Sequence, residues 1–367
     1  MRLALQSAAA RVDLEAVPEA LRAGVGSRLA RVPVVEPLSW KDVERVLRDA
    51  WGAPVGRVLH ELDRSPVDVR PASQVHRGET AEGRAVAVKL LRPGIAAAVR
   101  TDLALADAVA ALVGGVAPGL DAGAVAGEVR ERVLDELDLE YEGSVQRGFH
   151  RALRRHRELG VAAVNSDLTH ETVLVSDWVE GVAIADLRDG AERERAARLL
   201  LRFHLGAALY GTVDADPDLR DALLDADGRL WIVDLGASRA VAPERVALAA
   251  GALDALAADD ARRLGAIVAE LGWLSERDAR DGLAIARQVL GSLLDGDARL
   301  DAAASRALAE RALASEDVLV ALALRGSVAP EDLWPLRMLG TLFAELAKLG
   351  ATADWVELAR EALREGW

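Results

Sequence analysis

The period of the apolar positions changes along the chain, and this change marks its first boundary. The first 58 residues carry helical spacing, once over residues 17–29 and again after Ser39, whose side chain is placed to cap a helix running to Trp51. Between about residues 60 and 95 the apolar positions fall in short runs typical of β-strands. We therefore expect an N-terminal helical extension followed by a small sheet.

Beyond residue 95 the pattern is mainly helical. Helical blocks are predicted over residues 96–114 and 121–157, with glycines and prolines between them. Two β signals occur further along: a run over residues 173–179, and a hairpin over residues 225–233 that turns on an Asp-Gly pair. Roughly the last hundred residues have the Ala- and Leu-rich pattern of amphipathic helices. The pattern predicts an α+β protein with a small mixed N-lobe and a larger helical C-lobe.

Three segments follow from this pattern. We expect the helical extension at residues 1–58, the N-lobe with a helical insert at residues 59–181, and the helical C-lobe at residues 182–367. The C-lobe segment holds the acidic motifs, so it would carry the catalytic and metal-binding loops. A chain of 367 residues is long enough to bury the cores of two lobes.

Composition and charge narrow the class of partner. The formal net charge of −14 argues against nucleic acid and against an anionic membrane surface as partners. Cysteine is absent, which excludes disulfides and thiolate metal sites. No run of about 18 uncharged apolar residues occurs, so no transmembrane segment is predicted. We expect a cytoplasmic protein that makes peripheral membrane contact at most.

Lysine usage singles out one residue. The chain has 45 basic residues, but only positions 41, 89 and 348 are lysine. Lys89 lies inside an apolar β-type run over residues 85–90, in the V-A-x-K context of the lysine that contacts nucleotide phosphates in kinase-like folds. Lysine and arginine are not interchangeable where a compact charge meets phosphate oxygens. The alternative, an edge-strand lysine that reaches solvent, is less favoured in so lysine-poor a chain.

Aspartates of the C-lobe segment show the spacing of a kinase-like catalytic loop. Asp216 is followed five residues later by Asp221, and after the predicted hairpin comes Asp234 in an Asp-Leu-Gly sequence. Asp216 would orient or deprotonate the acceptor. Asp234 and Asp221 supply the hard oxygen ligands that suit Mg²⁺. Neighbouring aspartates such as Asp218 are interpreted as solvated turn residues.

A helical glutamate is expected to pair with Lys89. The acidic run over residues 135–142 offers Glu136, Glu140 and Glu142. On a continuous helix Glu136 and Glu140 share a face and Glu142 does not. For Glu140 a solvated helix surface is the preferred interpretation, and the choice between the other two stays open.

Taken together, these segments resemble one known family, the UbiB (AarF-type) atypical kinase-like proteins. The resemblance runs through most of the chain in order. Its matching segments are residues 74–77 (QVHR), 87–95 (AVKLLRPGI), 136–142 (ELDLEYE), 173–181 (VLVSDWVEG), 215–217 (ADP) and 234–236 (DLG). Few families combine the K-x-x-R-P-G-I segment with the E-L-D segment.

The resemblance implies a protein-kinase-like fold whose N-terminal helical segment packs over the active site. It implies that Lys89 contacts ATP phosphates and pairs with Glu136 or Glu142, and that Asp216 is the catalytic aspartate. Asp234 and the residue at 221 would hold Mg²⁺. The remaining nucleotide-binding residues implied by the matching segments are Gln74 and the adenine-binding hinge Asp177, Trp178 and Val179.

Several family motifs are altered in this chain. The K-x-G-Q motif aligns with residues 3–6, where only the glutamine, Gln6, is present. The alanine-rich nucleotide loop becomes residues 68–71, which carry charges and a proline. The H-A-D-P-H-P-G-N loop becomes residues 214–221, without either histidine and without its Pro-Gly turn.

The function indicated by these features is that of a divergent ATP-binding atypical kinase or ATPase using ATP and Mg²⁺. Its acceptor would be a small molecule, a lipid or a protein, and the resemblance points to isoprenoid-lipid or quinone metabolism. One alternative is a pseudokinase that acts as a binding or scaffolding module, which the altered loops favour. A second is a small-molecule phosphotransferase, which the segments at residues 92–95 and 136–138 disfavour.

Overall fold

The computed structural model describes residues 12–101, 103 and 122–367. The counterpart of the K-x-G-Q motif at residues 3–6, and most of the helical block predicted over residues 96–114, lie outside these described residues.

The first sheet is built mainly from the segment between residues 59 and 91. Its order is β1-β3-β4-β6, with the short β2 added beside β3, and the neighbouring strands are antiparallel. These strands are β1 Leu59–Leu62, β2 Asp68–Val69, β3 Ser73–Thr80, β4 Ala85–Leu91 and β6 Val173–Asp177. The predicted β character of this region and of the run at residues 173–179 is confirmed.

Two helices precede this sheet. Helix α1 (Glu19–Leu29) buries none of its side chains, whereas α2 (Trp40–Trp51) packs on the sheet. The Ser39 side chain accepts the N–H of Asp42, which confirms the predicted cap. Leu47 of α2 is fully buried in a core shared with strands β4 and β6. Burial of this apolar face fixes α2 to the small sheet.

The helical block predicted over residues 121–157 is two helices, α3 (Ala122–Asp135) and α4 (Leu139–Leu153). The expectation of one continuous helix was wrong because Asp138 caps α4. Its Oδ1 accepts the N–H groups of Glu140 and Tyr141 at 2.9 and 3.1 Å. An aspartate that bonds the following N–H groups in this way starts a new helix rather than continuing the preceding one.

A second sheet lies beyond the first, with the order β5-β10-β9-β7. Its strands are β5 Leu159–Val161, β7 Val182–Ala183, β9 Ala222–Leu224 and β10 Leu230–Ile232. Antiparallel pairing of β9 with β10 confirms the hairpin, and Gly228 in its turn has φ +75°, a conformation that favours glycine. Strand β5 pairs in parallel with β10, so the segment assigned to the N-lobe contributes one strand to this sheet.

Most of the remaining chain is helical. Helix α5 (Gly190–Leu209) runs through the largest core, where Phe203 is fully buried. The helices that follow are α6 Pro243–Ala257, α7 Ala261–Glu270, α8 Glu276–Leu290, α9 Ala302–Ala314, α10 Glu316–Arg325, α11 Leu333–Leu349 and α12 Trp355–Glu365. Strands are concentrated in the first part of the chain and helices in the later part. This order confirms the predicted α+β class with two lobes. None of the helices among the described residues has the length and apolar character needed to cross a membrane.

Two short strand pairs of this region carry little sequence signal. Strand β8 (Thr212–Asp214) pairs with β11 (Ser238–Ala240), and β12 (Asp297–Leu300) pairs with β13 (Ala351–Asp354). The second pair was missed because four residues of alternating character, rich in alanine, do not stand out among helices. The first pair brings the segment after Asp214 beside the segment after Asp234.

Candidate functional site

Lys89 lies at the centre of a charged cluster between the two sheets. On β4, Val88 and Leu90 are buried in the core beneath α2, so the alternation of the strand turns Lys89 to the opposite face. Its ammonium donates to both carboxylate oxygens of Glu142 at 2.8 Å and to Oδ2 of Asp234 at 2.9 Å. The Lys89 side chain is 14% exposed. Lys89 is therefore an interior cation and not an edge-strand lysine that reaches solvent.

The glutamate that pairs with Lys89 is Glu142. It lies in the first turn of α4, and its side chain is 2% exposed. Glu136 lies in the turn before α4 and pairs with Arg239, with 3.3 Å between their nitrogen and oxygen atoms. Glu140 is exposed, as the sequence indicated. The interruption of the predicted helix turns Glu142, and not Glu136, toward the lysine.

Burial and neighbouring charges set the protonation of this cluster. Burial alone would lower the pKa of Lys89, but the charges of Asp234 and Glu142 outweigh it and raise that pKa above its usual value. Burial raises the pKa of Glu142 to about 7, although Lys89 opposes the shift. Burial also acts to raise the pKa of Asp234, yet the positive charges of Lys89 and Arg70 prevail and hold it below its usual range. Lys89 and Asp234 therefore form a charged pair at neutral pH.

Gly236 permits the close approach of Asp234 and Glu142. Asp234 follows β10, and its Oδ1 accepts the N–H of Gly236 at 3.0 Å. A Cβ atom at position 236 would lie 2.9 Å from Oε2 of Glu142 and 3.4 Å from Oδ1 of Asp234. A side chain at position 236 would therefore displace the Glu142 carboxylate from its place beside Asp234.

Asp221, the second expected metal ligand, is paired with an arginine. The loop between β2 and β3 carries Arg70, whose two terminal nitrogens donate to the two oxygens of Asp221 at 2.9 and 2.5 Å. The same guanidinium donates from Nε to Asp68 at 2.6 Å and lies 3.6 Å from Asp218. Asp218 was expected to be a solvated turn residue, but it is 5% exposed and paired with Arg220. The sequence shows that the loop at residues 68–71 is charged, but it contains no signal that identifies Asp221 as the partner of Arg70.

Asp216 is also paired with an arginine. It follows β8, and its Oδ1 accepts from Arg337 of α11 at 2.7 Å. Its backbone N–H donates to Oδ1 of the buried Asp214 at 3.1 Å. Arg337 belongs to an amphipathic helix without a motif, so no feature of the sequence identified it as a neighbour of the site.

The predicted catalytic, metal-binding and phosphate-binding residues come together around one cavity of about 140 Å³. Its lining includes Lys89, Glu136, Glu142, Asp216, Asp221 and Asp234, with Arg70 and Pro71 on the N-lobe side. Sites for drug-sized ligands typically measure roughly 300–1,000 Å³. The cavity is therefore smaller than a typical site for a drug-sized ligand.

The residues fit a magnesium ion only in part. Carboxylate oxygens are the ligands that Mg²⁺ prefers, and Asp234 supplies them at the end of β10. Both oxygens of Asp221, however, accept hydrogen bonds from Arg70. Within the described part of the chain, no group of three or more carboxylate or histidine side chains is arranged to hold a metal ion. Both oxygens of Asp234 also accept hydrogen bonds, from Lys89 and from the N–H of Gly236, so the two aspartates differ in that only Asp221 is held by two nitrogens of one guanidinium.

Gln74 lies away from this cavity. In β3 it pairs with Leu90, so it faces α2 on the side of the sheet opposite to Lys89. Its Oε1 accepts the N–H of Leu38 at 2.8 Å, and its Nε2 lies 2.7 Å from Nε2 of His76. Gln74, expected among the nucleotide-binding residues, therefore does not line the cavity. Its hydrogen bond with Leu38 joins the segment before α2 to the sheet.

The segment expected to form the adenine hinge lies where the chain passes from the first sheet to the second. Asp177 ends β6, and the N–H of Trp178 donates to Ala85 at 3.0 Å. Val179 follows, and β7 of the second sheet begins at residue 182. The guanidinium of Arg77 lies 5.1 Å from the centre of the Trp178 ring. These positions suit a hinge between lobes.

Comparison with known proteins decides the family. The family model of the ABC1 atypical kinase-like domain matches residues 33–268, more than half of the chain. The chain belongs to this family. Its resemblance to UbiB-type proteins is thereby confirmed, and the protein is kinase-like in the atypical sense of the family. The matched range contains both the lysine of β4 and the aspartates around the cavity.

Individual relatives agree with this family. An uncharacterised protein of Synechocystis sp. is 30% identical over 254 residues, which are 65% of this chain and 62% of that protein. The probable protein kinase UbiB of Vibrio cholerae serotype O1 is 26% identical over 234 residues, 63% of this chain and 42% of the relative. The chain therefore spans less than two thirds of the length of these curated relatives.

One solved structure extends the comparison to the whole fold. Rv3197 of Mycobacterium tuberculosis, solved in complex with erythromycin, superposes with a TM-score of 0.68 and 23% sequence identity. The superposition covers 100% of this chain and 90% of that one. The predicted kinase-like two-lobe fold is confirmed.

Proposed function

We propose that this member of the family binds ATP in the cleft between its lobes, with the phosphates at Lys89. The observation that carries the proposal is the contact of Lys89 with Glu142 and Asp234 at 2.8–2.9 Å. A buried lysine held between two carboxylates from distant parts of the chain is oriented and kept charged, as phosphate binding requires. Arginine would not replace it, because the guanidinium is a planar fork and the ammonium a compact charge.

Several residues around the cavity have a part in this proposal. Glu142 positions Lys89, and Asp234 would hold Mg²⁺, which when bound neutralises phosphate charge. Asp216 would orient the acceptor. The segment from Asp177 to Val179 would meet the adenine. The proposed lobes keep the boundaries expected from the sequence, residues 59–181 and 182–367, with the extension at residues 1–58.

Calorimetric titration with MgATP tests this proposal. Lys89→Ala should weaken binding by roughly 1.5–3 kcal/mol, the scale of a charge-assisted hydrogen bond, or at least about tenfold. Lys41→Ala is the matched control, because Lys41 is an exposed lysine of α2. Thermal unfolding of both variants shows whether the protein stays folded when the buried Glu142 loses its partner. Equal affinity in wild type and a folded Lys89→Ala variant would refute the proposal.

A specific observation favours a second candidate, a pseudokinase that binds nucleotide without transferring phosphate. Asp216 and Asp221 are both paired with arginines, Arg337 at 2.7 Å and Arg70 at 2.5 Å. A carboxylate engaged in this way is less available to an acceptor or a metal ion. Phosphate release and phosphotransfer assays on wild type and Asp216→Asn separate the two candidates, because only turnover that Asp216→Asn removes supports catalysis.

If the protein is an active enzyme, a screen of candidate compounds identifies its acceptor. We propose isoprenoid-lipid and quinone intermediates as the first compounds to screen, since the resemblance associates the family with that chemistry. Protein and other small-molecule acceptors form the comparison sets. The proposal of nucleotide binding does not depend on which acceptor is found.

A further inference from the structure

The contact between Arg70 and Asp221 joins the two lobes across the candidate site. Arg70 belongs to the loop that follows β2, and Asp221 ends a short 3₁₀ turn immediately before β9, 151 residues further along the chain. Two nitrogens of one guanidinium meet two oxygens of one carboxylate, at 2.9 and 2.5 Å. This is the two-pronged geometry in which an arginine and a carboxylate bind most specifically.

The pair is built into its surroundings. Both side chains are largely buried, with 15% of Arg70 and 14% of Asp221 exposed. Asp68 and Asp218 complete the negative charge around the guanidinium. The loop itself is held from behind, because Nε of Arg92 donates to the backbone carbonyl of Arg70 at 2.9 Å. Arg70 is thus positioned by several groups and is not a surface side chain that meets Asp221 by chance.

We infer that Arg70 is the resident cation of Asp221 and takes the place of a metal ion at this carboxylate. The inference rests on the proposed function, which makes the cleft a site for nucleotide and metal. Its test, however, requires neither nucleotide nor turnover. Position 221 is where the family pattern would put the second metal ligand. Here each of its oxygens accepts a hydrogen bond from a positive charge that belongs to the protein. A divalent cation could reach Asp221 only after the pair had opened.

Two consequences follow for divalent ions in the absence of nucleotide. Asp221 contributes nothing to their binding in the wild type, which depends on Asp234 and its neighbours alone. Removing the guanidinium takes the positive charge from Asp221, whose carboxylate lies within the field of Asp234 and Asp218, and the added negative charge attracts a divalent cation. Arg70 therefore lowers the affinity of the free protein for divalent ions.

Titration with Mn²⁺ alone, followed by the electron paramagnetic resonance signal of the free ion, tests the inference without nucleotide or turnover. The variants are Arg70→Gln, Asp221→Asn and the double variant. Arg77→Gln is the control, since Arg77 pairs with the exposed Glu180 outside the cavity. Arg70→Gln should bind Mn²⁺ at least about tenfold more tightly than wild type. The double variant, which loses both charges, should match wild type within about twofold, and Asp221→Asn, which leaves Arg70 uncompensated near Asp234, should bind Mn²⁺ no more tightly than wild type.

Two results would overturn the inference: an Arg70→Gln variant that binds Mn²⁺ no more tightly than wild type, or a double variant that binds it as tightly as Arg70→Gln, since the gain would then not depend on Asp221. If Arg70→Gln does not fold, Arg70→Lys takes its place, because lysine keeps the positive charge but not the two-pronged contact, and Mn²⁺ binding no tighter than in wild type would then overturn the inference. Failure of the proposed function has a different signature, namely MgATP affinity that is unchanged by Lys89→Ala.

Discussion

Arg337 donates to Asp216 at 2.7 Å although 121 residues separate them in the chain. The contact places a cation of α11 directly on the carboxylate expected to orient an acceptor. Arg337 also lies 4.0 Å from Glu136, so one arginine forms ion pairs with two acidic residues of the cleft. The rim of the site is therefore shaped by a helix that carries no recognisable motif.

The stability effect of this pair should be small. The Arg337 side chain is 40% exposed and that of Asp216 26%, so solvent screens their attraction. In a double-mutant cycle with Arg337→Gln and Asp216→Asn, we expect a coupling free energy of at most about 1 kcal/mol. Urea denaturation measures it. A coupling of several kcal/mol would mean that Arg337 has a structural role beyond this contact.

Asp234 and Asp221 should differ in their effect on Mg²⁺-dependent nucleotide binding. Asp234 faces Lys89, and its loss removes both a ligand and a partner of that lysine, so Asp234→Asn should weaken binding by at least about tenfold. Asp221 is already paired with Arg70, so Asp221→Asn should change the affinity by less than about threefold. Calorimetry with and without Mg²⁺ compares them. Nucleotide binding that is independent of metal and survives Asp234→Asn would favour the pseudokinase.

Helix α2 should contribute strongly to the stability of the first lobe. Leu47 is fully buried between this helix and the sheet, and Leu47→Ala should lower the free energy of unfolding by about 2–5 kcal/mol. Leu21→Ala is the matched control, because Leu21 of α1 is 49% exposed and its loss should cost below about 0.5 kcal/mol. Denaturant unfolding of both variants gives the comparison. Equal effects would show that α2 is not part of the cooperative core.

His204 should make the protein sensitive to acid. Burial lowers the pKa of His204 to about 3, so the unfolded chain binds a proton that the folded chain does not. Stability from this residue is complete above the unfolded pKa near 6.5 and is lost as the pH falls toward 3. The loss has a limiting slope of about 1.4 kcal/mol per pH unit.

His204→Asn removes this dependence while leaving the facing Asp214 in place. Urea denaturation at about pH 7 and pH 5 should show wild type losing up to about 2 kcal/mol more than the variant on acidification. Only the difference between the two pH values matters, since the substitution itself lowers stability at every pH. The same pH dependence in both proteins would contradict a neutral, buried His204.

The sequence alone determined those features that depend on neighbouring residues. Ser39 caps α2 because its hydroxyl reaches an N–H three residues on, and the Asp-Gly pair turns the hairpin because glycine adopts φ +75° there. Alternation along β4 turned Lys89 away from the core, and the rarity of lysine identified it. The kinase-like fold class followed from such local signals in the correct order.

Tertiary structure decided the partners of the charged groups. Lys89 meets Glu142 across 53 residues, and Arg70 meets Asp221 across 151, so both choices depend on how the lobes pack. No local pattern distinguished Glu142 from Glu136, because the outcome rested on the break in the helix at Asp138. Charges of this kind find their partners only when burial brings them together and makes an unpaired charge costly. For that reason the sequence identified the chemistry of the cleft, and the fold determined which residues are engaged with one another.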